Sequence, residues 1–265
     1  MFVKAIIDFL LPRYCEMCNE RLEVDDDVIC QNCYKALPRT RWWQKIDYTK
    51  EKYKDDDNIF HEIEDRESLF ANEPKKKKDL FADNVLASKF YGRLTIEKAM
   101  SFMKFSPKSD SAKLVYEFKY HNKPHIAYHL GLIMGKELIG SGFFKDIDYI
   151  IPVPITKRRE YKRGYNQSME LSKGISHVTK IPILNKVIKR TSFQSSQTTL
   201  NQIQRQENIN GAFTLDSKYM SANNKHVLLV DDIITTGATT IECCRVLQKI
   251  QGIKASVLSL GIVTL

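Results

Sequence analysis

Residues 227–240 read VLLVDDIITTGATT. An apolar run of this length, bounded by turn residues, predicts a buried strand. Asp231 and Asp232 stand at its end. Thr235, Thr236, Gly237, Ala238 and Thr239 then turn the chain into a helix. Such a turn aims backbone N–H groups at one point, where hydroxyl donors and the helix dipole favour an anion. Gly237 allows close backbone approach, and a side chain there is expected to fill the anion's place. The pattern is a phosphomonoester cradle but not a Walker A loop. G-x-x-x-x-G-K-[ST] occurs nowhere, the Gly135-Lys136-Glu137 step fails it, and there is no G-x-G-x-x-G dinucleotide loop. The two acids cannot bind the phosphate themselves. They can accept hydrogen bonds from vicinal hydroxyls or bind a divalent metal through oxygen. Phosphate, two hydroxyls and magnesium together describe a ribose 5-phosphate.

The rest of the C-terminal part alternates in a way that suits this strand. YIIPVP (149–154) reads as a short strand, RGYNQSMELSKGISHVTK as a helix with Asn166 near its start, and IECCRVLQKI as a helix before a last strand, ASVLSLGIVTL. IPILNKVIKR and GAFTLD read as strands flanking a polar stretch. Upstream, SAKLVYEFKY carries Leu114, Val115 and Phe118 on one helical face, and a second helix follows Pro124. The alternation argues for a mostly parallel α/β sheet with ligands at the C-terminal ends of its strands. His121, His125 and His129 are spaced by four, but Pro124 separates the first from the others, and ordinary surface histidines are the expected reading.

The N-terminal part carries a second chemistry. Cys15, Cys18, Cys30 and Cys33 form C-x2-C-x11-C-x2-C. Two such turns complete a tetrahedral thiolate site that suits zinc. Four sulfurs leave no coordination position for water or substrate, so the expected role is structural; a redox pair is the rival reading. Cys243 and Cys244 read as buried small residues on a helix. Residues 2–11 read as a short helix on the protein body, because Asp8 interrupts the apolar run that a signal peptide would need. Reduced thiols then point to the cytoplasm. Residues 40–84 are dense in both charge signs and read as a solvated linker, although the KKKK block could touch nucleic acid. Three segments are expected: a module at 1–39, a linker at 40–84 and a domain at 85–265.

Composition only bounds these readings. The 265 residues carry a net charge of +9 and 43% hydrophobic residues, which is ordinary for a globular protein and compatible with an anionic partner. No run approaches the ~20 apolar residues of a membrane span.

VLLVDDIITTGATT resembles the signature of type I phosphoribosyltransferases, whose ligand is phosphoribosyl pyrophosphate. IPVPITKRREYKRGYNQSMELSK, QTTLNQIQRQENINGAF and LLPRYCEMCN are similar to the ComF (ComFC) family of competence proteins. The resemblance implies a type I phosphoribosyltransferase-like, mostly parallel sheet with helices on both faces, plus a small N-terminal four-cysteine zinc module. It assigns ribose hydroxyls to Asp231 and Asp232, the expected catalytic pair, and the 5-phosphate to Thr235, Thr236, Gly237, Ala238 and Thr239. Lys157, Arg158, Arg159 and Arg163 are expected on the pyrophosphate side, with Lys119 reaching the same place. A mobile loop at 194–206 offers Gln197 and Arg205. The family implies a role in DNA uptake for natural transformation, with single-stranded DNA and a competence helicase as partners. The alternative is a phosphoribosyltransferase of nucleotide synthesis or salvage with no DNA role.

Overall fold

A computed structural model of the chain describes residues 10–45, 84–190, 211–220 and 223–263. The expected N-terminal helix, most of the expected linker and the expected mobile loop with Gln197 and Arg205 lie outside them. Four strands form one parallel sheet: β1 (Ala99–Phe105), β2 (Tyr149–Pro152), β5 (His226–Ile234) and β6 (Lys254–Val263), in the order β1-β6-β5-β2. A parallel bridge from Ile150 to Ile183 adds a rudimentary fifth strand beyond β2. Residues 226–230 of β5 and 255–262 of β6 are buried without alternation. Consecutive burial means that both faces of the sheet are covered, the usual state of a parallel sheet.

The cover comes from the connections. α4 (Ser111–Tyr120) and α5 (Pro124–Leu138) carry the chain from β1 to β2. α7 (Gln167–Thr179) follows β2 and packs on α5, β2 and β5, while α8 (Ala238–Leu247) links β5 to β6. Right-handed crossovers that run in opposite directions along a sheet put their helices on opposite faces. α5 and α7 touch backbone to backbone. A Cβ on Gly131 would collide with the Leu171 carbonyl, and one on Gly174 with the Tyr128 carbonyl. A small antiparallel pair, β3 (Ile188–Arg190) and β4 (Phe213–Leu215), brackets residues 191–210.

Two short helices, α1 (Gln31–Ala36) and α2 (Trp42–Lys45), belong to the N-terminal part, and α3 (Val85–Phe90) opens the return to the sheet. The docking of the cysteine module is not legible in the sequence, and three contacts define it. Arg39 forms a forked ion pair with Glu137 of α5 (2.7–2.9 Å), where Tyr34 also donates to Glu137. Lys123 pairs with Glu16 at 2.7 Å. Residues 38–40 lie antiparallel to the free edge of β1, with the Thr40 amide donating to Phe102 and the Lys104 amide to Pro38. Trp42 and Trp43 begin the segment expected to be a solvated linker. Both are buried, and Trp43 stacks on Phe102 with ring centroids 5.4 Å apart.

Candidate functional site

The acidic pair sits where β5 leaves the core. Asp231 is wrapped by donors: Ser168 Oγ on Oδ1 and Thr240 Oγ1 on Oδ2, each at 3.3 Å, and the Asp232 amide on Oδ1 at 2.8 Å. Asp232 forms an ion pair with Lys119 Nζ at 3.0 Å, both side chains being mostly buried. One ammonium thus balances one of two adjacent carboxylates. Burial and the Asp232 charge push the Asp231 carboxyl up to about 7. A raised carboxylate pKa beside another acid marks a place prepared for further positive charge. Two oxygen-donor carboxylates fit a hard divalent cation such as magnesium.

The expected phosphate turn follows directly. Thr235 and Thr236 are exposed, and Gly237 caps α8 with φ +80°, the left-handed region that favours glycine. The Thr236 hydroxyl accepts from the Ala238 amide. A Cβ on Gly237 would meet Lys89 Cδ at 3.4 Å and Ile241 Cδ1 at 3.8 Å. Glycine is needed here for its φ. The same contact reveals Lys89 of α3 lying against the turn, its ammonium pKa lowered by burial and by Arg93.

The RGYNQ segment now has a mechanical reading. α6 (Lys157–Arg163) is N-capped by Thr156 and ends at Gly164. The Tyr165 hydroxyl donates to the Phe118 carbonyl, fixing the turn of α4 that carries Lys119. Asn166 donates to the Val153 carbonyl at 3.0 Å and caps α7 through the Ser168 amide. Ser168, which then reaches Asp231, directly follows this motif and carries no sequence signal of its own.

The basic residues divide. Lys119 meets the acids. Lys157, Arg158 and Arg159 are exposed on α6. Arg163 donates to Gln167 Oε1 at 2.8 Å and lies over the Tyr120 ring, with no contact to the acids among the described residues. Arg190, at the end of β3, is a further residue that sequence reasoning misses. Its guanidinium is largely buried, which lowers its pKa, and it feels both Arg159 and Asp231. Asp231 favours the Arg190 charge and Arg159 opposes it, so Arg190 lies within electrostatic reach of both α6 and the acidic pair. Replacing Lys119 by Met is expected to raise the Asp231 pKa further, by roughly one unit, because Lys119 is one of the groups lowering it. Carboxyl carbon NMR titration reads this directly.

The four thiols also converge. The sulfurs of Cys15, Cys18, Cys30 and Cys33 all lie within 4.8 Å of one another. A tetrahedral Zn–S length of ~2.3 Å corresponds to sulfurs about 3.8 Å apart, so the cluster could hold a metal such as zinc. Burial opposes ionisation of Cys15, but the backbone amides of Cys18, Cys30 and Met17 outweigh it and bring the thiol to about 7. Arg13 donates to the carbonyls of Glu23, Val24 and Asp26, shaping the loop between the two cysteine pairs. Cys243 and Cys244 are fully buried in α8, and burial pushes Cys244 up to about 12. They are inert core residues, as expected.

A parallel sheet with an acidic strand end, a Thr/Gly turn and helices on both faces defines a phosphoribosyltransferase-like α/β protein. No protein-family model matches the chain. It is 40% identical over 140 residues to competence protein F of Haemophilus influenzae, covering 52% of this chain and 61% of that protein. It is 29% identical over 139 residues to the DNA utilization protein YhgH of Escherichia coli O157:H7, covering 51% and 60%. Competence protein ComFC of Bacillus subtilis is 28% identical over 114 residues, 43% of each. The matches span less than two thirds of those proteins' own length. Over about half of its length the chain is similar to these competence and DNA utilization proteins. Solved structures are more distant. A glutamine phosphoribosylpyrophosphate amidotransferase from B. subtilis gives a TM-score of 0.36 at 16% identity, covering 54% of this chain and 30% of that one. A Trypanosoma cruzi hypoxanthine phosphoribosyl transferase gives 0.32 at 14%, covering 56% and 77%. The fold assignment therefore rests on the strand order and connections of the chain itself. No described helix is long and apolar enough to cross a membrane.

Proposed function

We propose that the β5–α8 site holds phosphoribosyl pyrophosphate with magnesium, and that the chain serves DNA uptake in natural transformation. The observation that carries the ligand is the acidic pair: Asp231 and Asp232, adjacent, enclosed, and balanced by one lysine, directly before a Thr/Gly turn at a helix N-terminus. The DNA role rests on the names of the competence and DNA utilization relatives.

In this reading Asp231 and Asp232 accept the ribose hydroxyls, and Ser168 and Thr240 hold Asp231 in place for that task. The turn at 235–239 holds the 5-phosphate through backbone amides and hydroxyls. Lys119, Arg159 and Arg190 face the pyrophosphate, where forked guanidinium donors suit its oxygens. Magnesium held near Asp231 and Asp232 would neutralise part of the pyrophosphate charge. Zinc is the proposed occupant of the four thiols, and a reducing cytoplasm is the compartment that keeps them available.

Calorimetric titration with phosphoribosyl pyrophosphate tests the ligand, with and without magnesium. The expected result is saturable binding to one site per chain that weakens at least tenfold when magnesium is withheld. No heat at millimolar ligand in either condition overturns the reading. Pyrophosphate release across a panel of bases then separates a transferase from a binder.

A further inference from the structure

We propose that α4 and α6 together form a stacking platform for single-stranded DNA beside the ligand site. Three layers of planar groups build it. Tyr116 and Tyr120, one turn apart on α4, stack with centroids 6.1 Å apart and an interplanar angle of 26°. The Arg163 guanidinium of α6 lies over Tyr120, 5.6 Å from the ring centre. Yet the pile is open to solvent: Tyr116 is 40% and Tyr120 59% exposed. Tyr120 is the middle layer of this pile, so the outer face of the half-exposed Tyr116 is the one left for a further planar group.

Charge selects what that is. α6 carries Lys157, Arg158, Arg159, Lys162 and Arg163 against a single acid, Glu160. Tyr161 projects from the same helix at 93% exposure. The acids flanking the tyrosines on α4 are already paired: Glu117 with Lys123 (2.9 Å) and His121 (2.9 Å), and Asp110 with Lys113 (3.3 Å). A polyanion therefore meets little repulsion. Aromatic faces interleaved with cations bind single strands, because only unstacked bases can lie on the rings while phosphates follow the charges. A duplex would offer the phosphates but not the faces.

The platform adjoins the acidic site through one helix. Lys119 points from α4 to Asp232, while Tyr116 and Tyr120 stand on the exposed part of the same helix. The choice of DNA over RNA rests on the function proposed above; the stacking itself does not.

Fluorescence anisotropy with a labelled oligothymidylate of about 20 nucleotides tests the platform on the full chain. Tyr116→Ala with Tyr120→Ala is expected to weaken binding about tenfold or more, and Tyr120→Phe to retain it. Lys162→Gln should reduce the salt slope by about one without removing binding. Wild-type affinity in the double alanine variant, or equal affinity for duplex, overturns the proposal. An oligouridylate bound tenfold more tightly than oligothymidylate overturns the assignment to DNA. Tyr116→Ala is expected to leave the phosphoribosyl pyrophosphate titration unchanged. DNA binding without ligand binding therefore removes the ligand reading and keeps the platform, and the reverse result removes the platform alone.

Discussion

Asp231→Asn is expected to weaken magnesium-dependent binding of phosphoribosyl pyrophosphate roughly 100-fold while making the fold more stable. The two effects have one cause. In the folded chain, burial and Asp232 hold the Asp231 carboxyl at about 7, far above its ordinary 3.8. Keeping it ionised costs folding free energy, on the order of 4 kcal/mol at neutral pH. The sign follows from linkage. The unfolded chain releases this proton near pH 4 and the folded chain near pH 7, so stability falls as pH rises between those values and levels off above. The asparagine carries no such penalty. Its advantage should be small at pH 4–5 and full above pH 7, as read by urea denaturation at both ends. Ser168 and Thr240 can turn their hydroxyls to serve an amide, so the local packing survives. A hydroxyl or metal contact to a carboxylate is stronger than to an amide, and losing it is worth about 3 kcal/mol. Unchanged ligand affinity in this variant would remove Asp231 from the site.

Cys30→Ser is expected to release the metal and to open the N-terminal module, with the largest loss of stability of any single change here. Cys30 is a thiol of the cluster, and its amide donates to Cys15 Sγ at 3.4 Å. It also caps α1. The module has a small apolar core, so a structural zinc site worth ~10–16 kcal/mol in isolated fingers would dominate its folding. The consequence spreads to the sheet. Residues 38–40 cover the β1 edge, and Trp43 lies flat on Phe102. Opening the module bares that edge, which invites pairing between chains. Elemental analysis should find about one zinc per wild-type chain and little in the variant. Tryptophan emission should shift to the red, and light scattering should rise. A variant that keeps its melting temperature and its emission would show that the thiols do not hold the module together.

The parts of the fold that can be read ahead are those whose signals are local. α5 announces itself by Pro124 and its apolar spacing, α7 by Asn166, and the end of β5 by two acids and a glycine turn. β1 gives no such signal. AMSFMKF lacks β-branched residues, and because both of its faces are buried it shows no alternation. α6 reads as a basic turn, since a helix with no buried residue has no periodicity to find. At the site, the acids and the turn are legible because they are contiguous. Ser168, Lys89 and Arg190 are not, because their relation to Asp231 or Gly237 exists only after α7, α3 and β3 have packed. Trp43 cannot be placed from sequence for the same reason: its partner, Phe102, lies beyond the charged segment.

The contacts on β1 carry a consequence for that segment. Thr40 Oγ1 donates to the Ser101 carbonyl, Trp43 stacks on Phe102, and the Asn84 side chain donates to the Ala99 carbonyl at 2.9 Å. The chain thus departs from and returns to the same strand within a few residues. The described residues on either side of positions 46–83 are therefore pinned together on one strand, which is a chain closure. The entropy of such a closure grows only with the logarithm of its length, about 0.6 kcal/mol per doubling. The length of this stretch is therefore nearly free to drift in evolution, while Thr40 and Asn84, at its two ends, are not.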